Sequence, residues 1–228
     1  MAFIQLRQIS AGALISNTFI ELARIKKEIA IYLAVFTAIA MIAEFAPLGE
    51  ELGWFPATIL YFLGQYYLYR EMLARGGMVV DSRFKVFSLF FMALVLVIPL
   101  YLGFAFLFIP GLLLMTKWVM APAILVSEDT HLFDALGASW SLSDNNVVSI
   151  GVALFVIGLI WFAIVMIGGT GAGLIERVVL DIRGANDGRM GPLIWPFLHT
   201  LPLLLMGVSV SAYRALNDAG HDVVSVFE

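Results

Sequence analysis

From Val86 to Met115 the chain runs thirty residues without a charged side chain. As one straight helix that run would measure about 45 Å, while the hydrocarbon core of a bilayer is about 30 Å thick. It must therefore break or turn. Pro110-Gly111 is its strongest turn signal. The expectation is a third span at 86–109, kinked at Pro99, and a fourth at 111–126, with Pro122 near its end. Two full spans and a re-entrant pair both remain open. The apolar turn FIPG must be covered by neighbouring helices, because irregular backbone is not tolerated against lipid.

The rest of the chain has the same character. Of its 228 residues, 61% are hydrophobic and 13% are charged, whereas soluble domains carry about 25% charged residues. Lipid is the expected solvent for most of the surface. There is no cysteine, which excludes disulfides, thiolate catalysis and cysteine-based metal sites. The net charge of -4 and the lack of a long basic run give no sign of a nucleic-acid partner.

Hydropathy and turn residues then place the other spans. Arg7, Glu21, Arg24, Lys26 and Lys27 interrupt the first 28 residues, so an uncleaved signal anchor is expected rather than a cleaved signal peptide. Residues 13–27 read as an amphipathic helix on the membrane surface with Ile15, Phe19, Leu22 and Ile25 on one face; packing on the bundle is the alternative. The first span runs from Ile29 to about Phe45 and Glu44 closes it. The second runs from Trp54 to Tyr69, with Pro56 in its first turn and Tyr61, Tyr66, Tyr67 and Tyr69 as an interfacial belt. Arg70 to Lys85 is a loop around Gly76-Gly77. A short helix at 131–141, capped by Thr130, presents Leu132, Phe133, Leu136 and Trp140. The fifth span covers Val147 to about Ile167. An amphipathic stretch at 174–182 shows Ile175, Val178, Val179 and Ile182. The sixth span runs from Pro192 to about Tyr213, broken by Pro196 and Pro202.

The expected fold is thus all-α, one integral membrane domain over 1–228. It has an interfacial N-terminus at 1–28, a six-span bundle at 29–213 and a tail at 214–228. Nine Lys and Arg residues flank one side of these spans and three, Arg177, Arg183 and Arg189, the other. By the positive-inside rule both termini are cytoplasmic.

Few residues suggest chemistry. Lys117 lies in an apolar segment, where a lysine at a helix centre costs roughly 2.5–3.5 kcal/mol. With the turn at Pro110-Gly111 it falls in one membrane layer with Glu44 and His199. One reading is a buried polar site for a lipid headgroup or a proton relay, with Lys117 touching Glu44 or His199. The plainer reading is snorkelling plus one ion pair. Glu128 and His131 have the E-x-x-H spacing of bundle metal sites. With three histidines in all and no second copy, no metal is expected. Gly168–Gly173, GGTGAG, lacks the Lys-Ser/Thr ending of a phosphate loop and instead offers Gly169 and Gly173 for close helix packing. Gln65 should bond a neighbouring helix. No catalytic triad, carboxylate pair or cofactor site can be assembled.

Residues 109–146 carry a longer pattern: Pro110-Gly111, Lys117-Trp118, Pro122, Glu128, Ala135, Ser139-Trp140 and Leu142. In order and spacing it resembles the bacterial glycerophosphoryl diester phosphodiesterase membrane domain and its uncharacterised relatives. LGQYYLYREMLARGG resembles the second span and following loop of the same family. The chain has Lys117 where that pattern more often has arginine, and a more acidic loop after Glu128. The resemblance implies a bacterial inner-membrane protein without the catalytic barrel, so no enzymatic activity transfers. The functional expectation is a non-enzymatic membrane module. It would be a lipid- or envelope-associated scaffold, or an accessory subunit, partnered by membrane lipids and by other subunits or itself. The alternatives are a small transporter or lipid-handling protein built around Lys117 and His199, and a lipid-modifying membrane enzyme.

Overall fold

A computed structural model of the chain describes residues 8–45, 50–78, 83–106, 108–178 and 191–224; side chains at 43–45, 50–56 and 218–224 also lie outside the described set. The described residues are almost all helical and contain no strand. In order the helices are α1 (Ala11–Arg24), α2 (Lys26–Phe45), α3 (Glu50–Arg75), α4 (Val86–Phe106), α5 (Phe108–Trp118), α6 (Ala121–Ser127), α7 (Leu132–Ser143), α8 (Val147–Ile164), α9 (Thr170–Val178), α10 (Trp195–Leu198) and α11 (Thr200–Val224). Among the described residues four helical stretches are long and apolar enough to cross a membrane: Val86–Phe106, Phe108–Ser127, Leu132–Val178 and Pro192–Asn217. The chain is therefore a helical bundle suited to a multi-pass membrane protein.

The thirty-residue apolar run does fold back on itself, but not where Pro110-Gly111 suggested. α4 ends at Phe106 and α5 begins at Phe108, so Pro110 and Gly111 sit inside the first turn of α5. Proline fits there because the first N–H groups of a helix have no intrahelical acceptor to lose. Gly111 is needed for contact rather than for turning. A methyl at Gly111 would meet the Phe104 ring at 2.5 Å, and one at Gly103 would meet the Gly111 Cα at 2.9 Å. At the other end of the hairpin, Lys85 donates to the carbonyls of Glu128 and Thr130. Contacts at both ends make α4 and α5–α6 antiparallel along their whole length. α4 continues through Pro99 and exposes large apolar side chains on most of its circumference, including Phe87, Phe91, Ile98 and Phe106. Such a helix is at home only in an apolar solvent.

Second-span expectations shift outward. α3 starts at Glu50 and continues to Arg75, beyond Tyr69. Gly77, at φ 79°, ends it: the Met78 N–H bonds the Leu73 carbonyl and the Gly77 N–H bonds that of Ala74, a Schellman closure. Tyr66 and Tyr69 are buried in the core, while Tyr67 is exposed, so the tyrosines do not form a simple belt. Gln65 does bond a neighbouring helix, through the Tyr32 hydroxyl at 3.3 Å.

The three short helices are more deeply engaged than their patterns implied. α1 packs against α11 and α8, burying Leu14, Thr18, Glu21 and Ile25 and leaving Phe19 exposed. Its buried face is partly polar because its partners are: Thr18 meets Ser211 at 3.3 Å and Glu21 accepts from Arg214. Gly207 provides the clearance for Thr18 and Leu22. α7 starts with His131 as its N-cap rather than Thr130, and packs on α5 and α6 through Ala135, Leu136 and Ser139. Phe133, expected on that face, is 73% exposed. In α9 the buried residues are Ala172 and Glu176, while Ile175 and Val178 are exposed; Val179 and Ile182 lie outside the described residues. Glu176 turns inward because its carboxylate accepts the Leu193 N–H, in the first turn of the helix after Gly191. Gly168 and Gly169, in a π-helical turn, lie against Phe197 and Ile194. Gly173 has no such neighbour.

Candidate functional site

Lys117 lies in the last turn of α5, just before the break at Val119-Met120 that Pro122, in the first turn of α6, follows. Its ammonium pairs with Asp144 and stands 5.3 Å from the centre of the Trp140 ring. Trp118 and Trp140 pack with ring centres 5.7 Å apart. The Ser139 hydroxyl donates to the Lys117 carbonyl at 2.7 Å. That carbonyl lies next to a break in the helix, where regular i to i+4 bonding is interrupted. The pattern positions Lys117, Trp118, Ser139 and Trp140 thus meet across the α5–α7 contact. Ala135 is buried on the same face of α7 as Ser139, and Gly111 is buried at the opposite end of α5, against Phe104.

Glu128 closes α6 and accepts the Tyr213 hydroxyl at 2.6 Å, so it ties this unit to α11. His131 caps α7 and is exposed. The E-x-x-H pair therefore serves two separate helix ends.

His199 occupies a different place. Its ring lies among Tyr32 and Phe36 of α2, Tyr61 of α3 and Trp195, with centres 5.1 to 6.2 Å away. None of these residues neighbours Lys117, whose partner is Asp144. The side chain of Glu44 lies outside the described residues. The structure thus brings Lys117 to Asp144 and His199 to an aromatic box, rather than to each other.

A third cluster was not anticipated. Arg214 pairs with Glu21, which also accepts from Arg24 at 2.8 Å. Glu21 is only 3% exposed. Arg75 donates to the Arg24 carbonyl at 2.7 Å and to the carboxylates of Glu28 and Glu71. The Arg214 guanidinium occupies the space that a Cβ on Gly76 would need. Next to it, Tyr66 donates to the Arg83 carbonyl and Arg83 pairs with Asp129. Four helices, α1, α2, α3 and α11, are joined here by charge. The signal was present in the sequence as Glu21, Arg24 and Arg214, but their separation of some 190 positions hid it.

Beside this cluster a groove of about 450 Å³ opens along the end of α3, lined by Leu63, Tyr66, Tyr67, Arg70, Glu71 and Phe84 among others. No family model, curated protein or solved structure matches the chain.

Proposed function

We propose that this protein is a non-enzymatic, six-span membrane module that acts as an accessory or scaffold subunit through the outer face of α7. α2, with 20 residues, and α3, with 26, would add two spans to the four apolar stretches. The nine-to-three distribution of basic flanks supports cytoplasmic termini, and the resemblance over residues 109–146 supports a bacterial inner membrane and a lipid or envelope context.

One observation carries the reading. The exposed face of α7, continued by its C-cap Asp144, bears Phe133, Asp134, Trp140 and Ser141 together. The Asp134 carboxylate, and the Asp144 carboxylate with its Lys117 partner, make it costly against lipid, and two large aromatics make it costly against water. Aromatic anchors mixed with polar groups are the composition of a protein interface. The side chains of the transport alternative are engaged otherwise: Lys117 pairs with Asp144, and His199 lies among aromatic rings.

Gentle extraction and native purification test it. A second membrane protein, or a second copy of the chain, should co-purify in fixed ratio and be lost on Phe133→Ala with Trp140→Ala. A monodisperse single chain carrying nothing would overturn it. Substrate uptake by vesicles containing this chain alone, abolished by Lys117→Met, would establish the transporter alternative instead.

A further inference from the structure

The cations around the third cluster differ in one respect. Arg24, Arg75, Arg83 and Arg214 each hold a carboxylate, and Lys85 holds two carbonyls. Arg70 has no carboxylate among the described residues; its guanidinium stands 5.8 Å from the Tyr66 ring centre. It lines the groove beside α3. Glu71, also in that wall, gives its carboxylate to the Arg75 Nε at 2.6 Å and makes no ion pair with Arg70. Below Arg70 the groove becomes apolar. Leu63 and Tyr67 lie on its own stripe of α3 at spacings of seven and three, and Phe84 stacks edge-on to Tyr66 with ring centres 5.4 Å apart. Tyr67 and Phe84 are more than half exposed.

We propose that this groove seats one anionic glycerophospholipid, with its phosphodiester on Arg70 and the upper part of an acyl chain along Leu63, Tyr67 and Phe84. Charge and shape agree on that occupant. The guanidinium is a planar fork that matches phosphate oxygens, and stacking on an aromatic ring leaves its N–H edge available. A free anion would satisfy Arg70 and leave the apolar stripe open, whereas a lipid satisfies both. Arg70 follows the apolar part of α3, where basic side chains meet headgroups. The site is separate from the α7 face, so either can fail without the other.

Native mass spectrometry of the full chain in nonionic detergent tests it, titrated with phosphatidylglycerol or with phosphatidylcholine of the same acyl chains. The wild type should retain one phosphatidylglycerol in preference to phosphatidylcholine. Arg70→Gln should weaken that retention about tenfold, the size expected for one charge-assisted contact. Phe84→Ala, at an exposed position, should weaken both lipids while leaving the fold intact by circular dichroism. Lys26→Gln with Lys27→Gln should change neither. Equal retention of the two lipids by the wild type, or an Arg70→Gln chain that keeps its preference, would overturn the proposal. Displacement by millimolar inorganic phosphate would overturn the lipid assignment in favour of a free-anion site.

Discussion

At the residue scale, the decisive side chains are charges that found partners far along the chain. Glu21 is nearly inaccessible and holds two arginines, one of them contributed by α11. Removing one member of a buried pair strands the other, which typically costs 3–5 kcal/mol. Glu21→Gln should therefore lower stability by about 3 kcal/mol, read as a drop in the thermal unfolding midpoint in detergent. Gly76→Ala should act through the same pair, since its methyl needs the space of the Arg214 guanidinium. The two substitutions should then be markedly less than additive in a double-mutant cycle, and full additivity would show that Gly76 acts independently. Glu28, just before the apolar run 29–45, gives the pH response. Its own backbone N–H, and then Arg75, hold its carboxyl below the usual carboxylate range. A depressed folded-state pKa means stability that is present above the unfolded value of about 4.3 and lost as pH falls through the lower folded value. Acid titration should loosen α2 from α3 below about pH 4, and Glu28→Gln should remove that component.

At the element scale, small residues decide how closely helices approach. Gly103 and Gly111 let α4 and α5 meet backbone to backbone, and the Phe104 ring covers Gly111. Gly111→Ala has no flexible neighbour to displace, because the Phe104 amide nitrogen is only 2.8 Å from the added carbon. Overpacking of this kind costs roughly 1–3 kcal/mol. The expected outcome is a lower unfolding midpoint and faster proteolysis near residues 103–111. A fully stable Gly111→Ala variant would show that the hairpin tolerates a wider gap. Patterns of apolar residues located these elements well: α4, α5–α6, α7 and α8 start within about a turn of where hydropathy placed them. The faces were less legible. In α1, α7 and α9 the buried face is not the apolar stripe alone, because Thr18, Glu21, Ser139 and Glu176 turn inward to partners on other elements.

At the scale of the whole molecule, the absence of cysteine makes topology directly measurable. Single cysteines at positions 26 and 74 should react with a membrane-impermeant maleimide only after the cytoplasmic side is opened. Cysteines at 108 and 173 should be inaccessible from that side. Labelling of 26 and 108 from the same face would break the six-span arrangement. Composition and the thirty-residue run were enough to make this an all-helical membrane bundle, because the free energy of burying apolar groups depends on their amount and spacing, both of which are written along the chain. They were also enough to demand a fold-back between residues 86 and 126, because helix rise and bilayer thickness are constants. The partners of the charges were not decided in that way. Lys117 went to Asp144 and not to His199, and Glu21 went to Arg214, because an ion pair depends on distances in space. Those distances are set only when the turn at Glu128–Thr130 brings α7 back alongside α6 and α5, and when Gly207 lets α1 settle on α11.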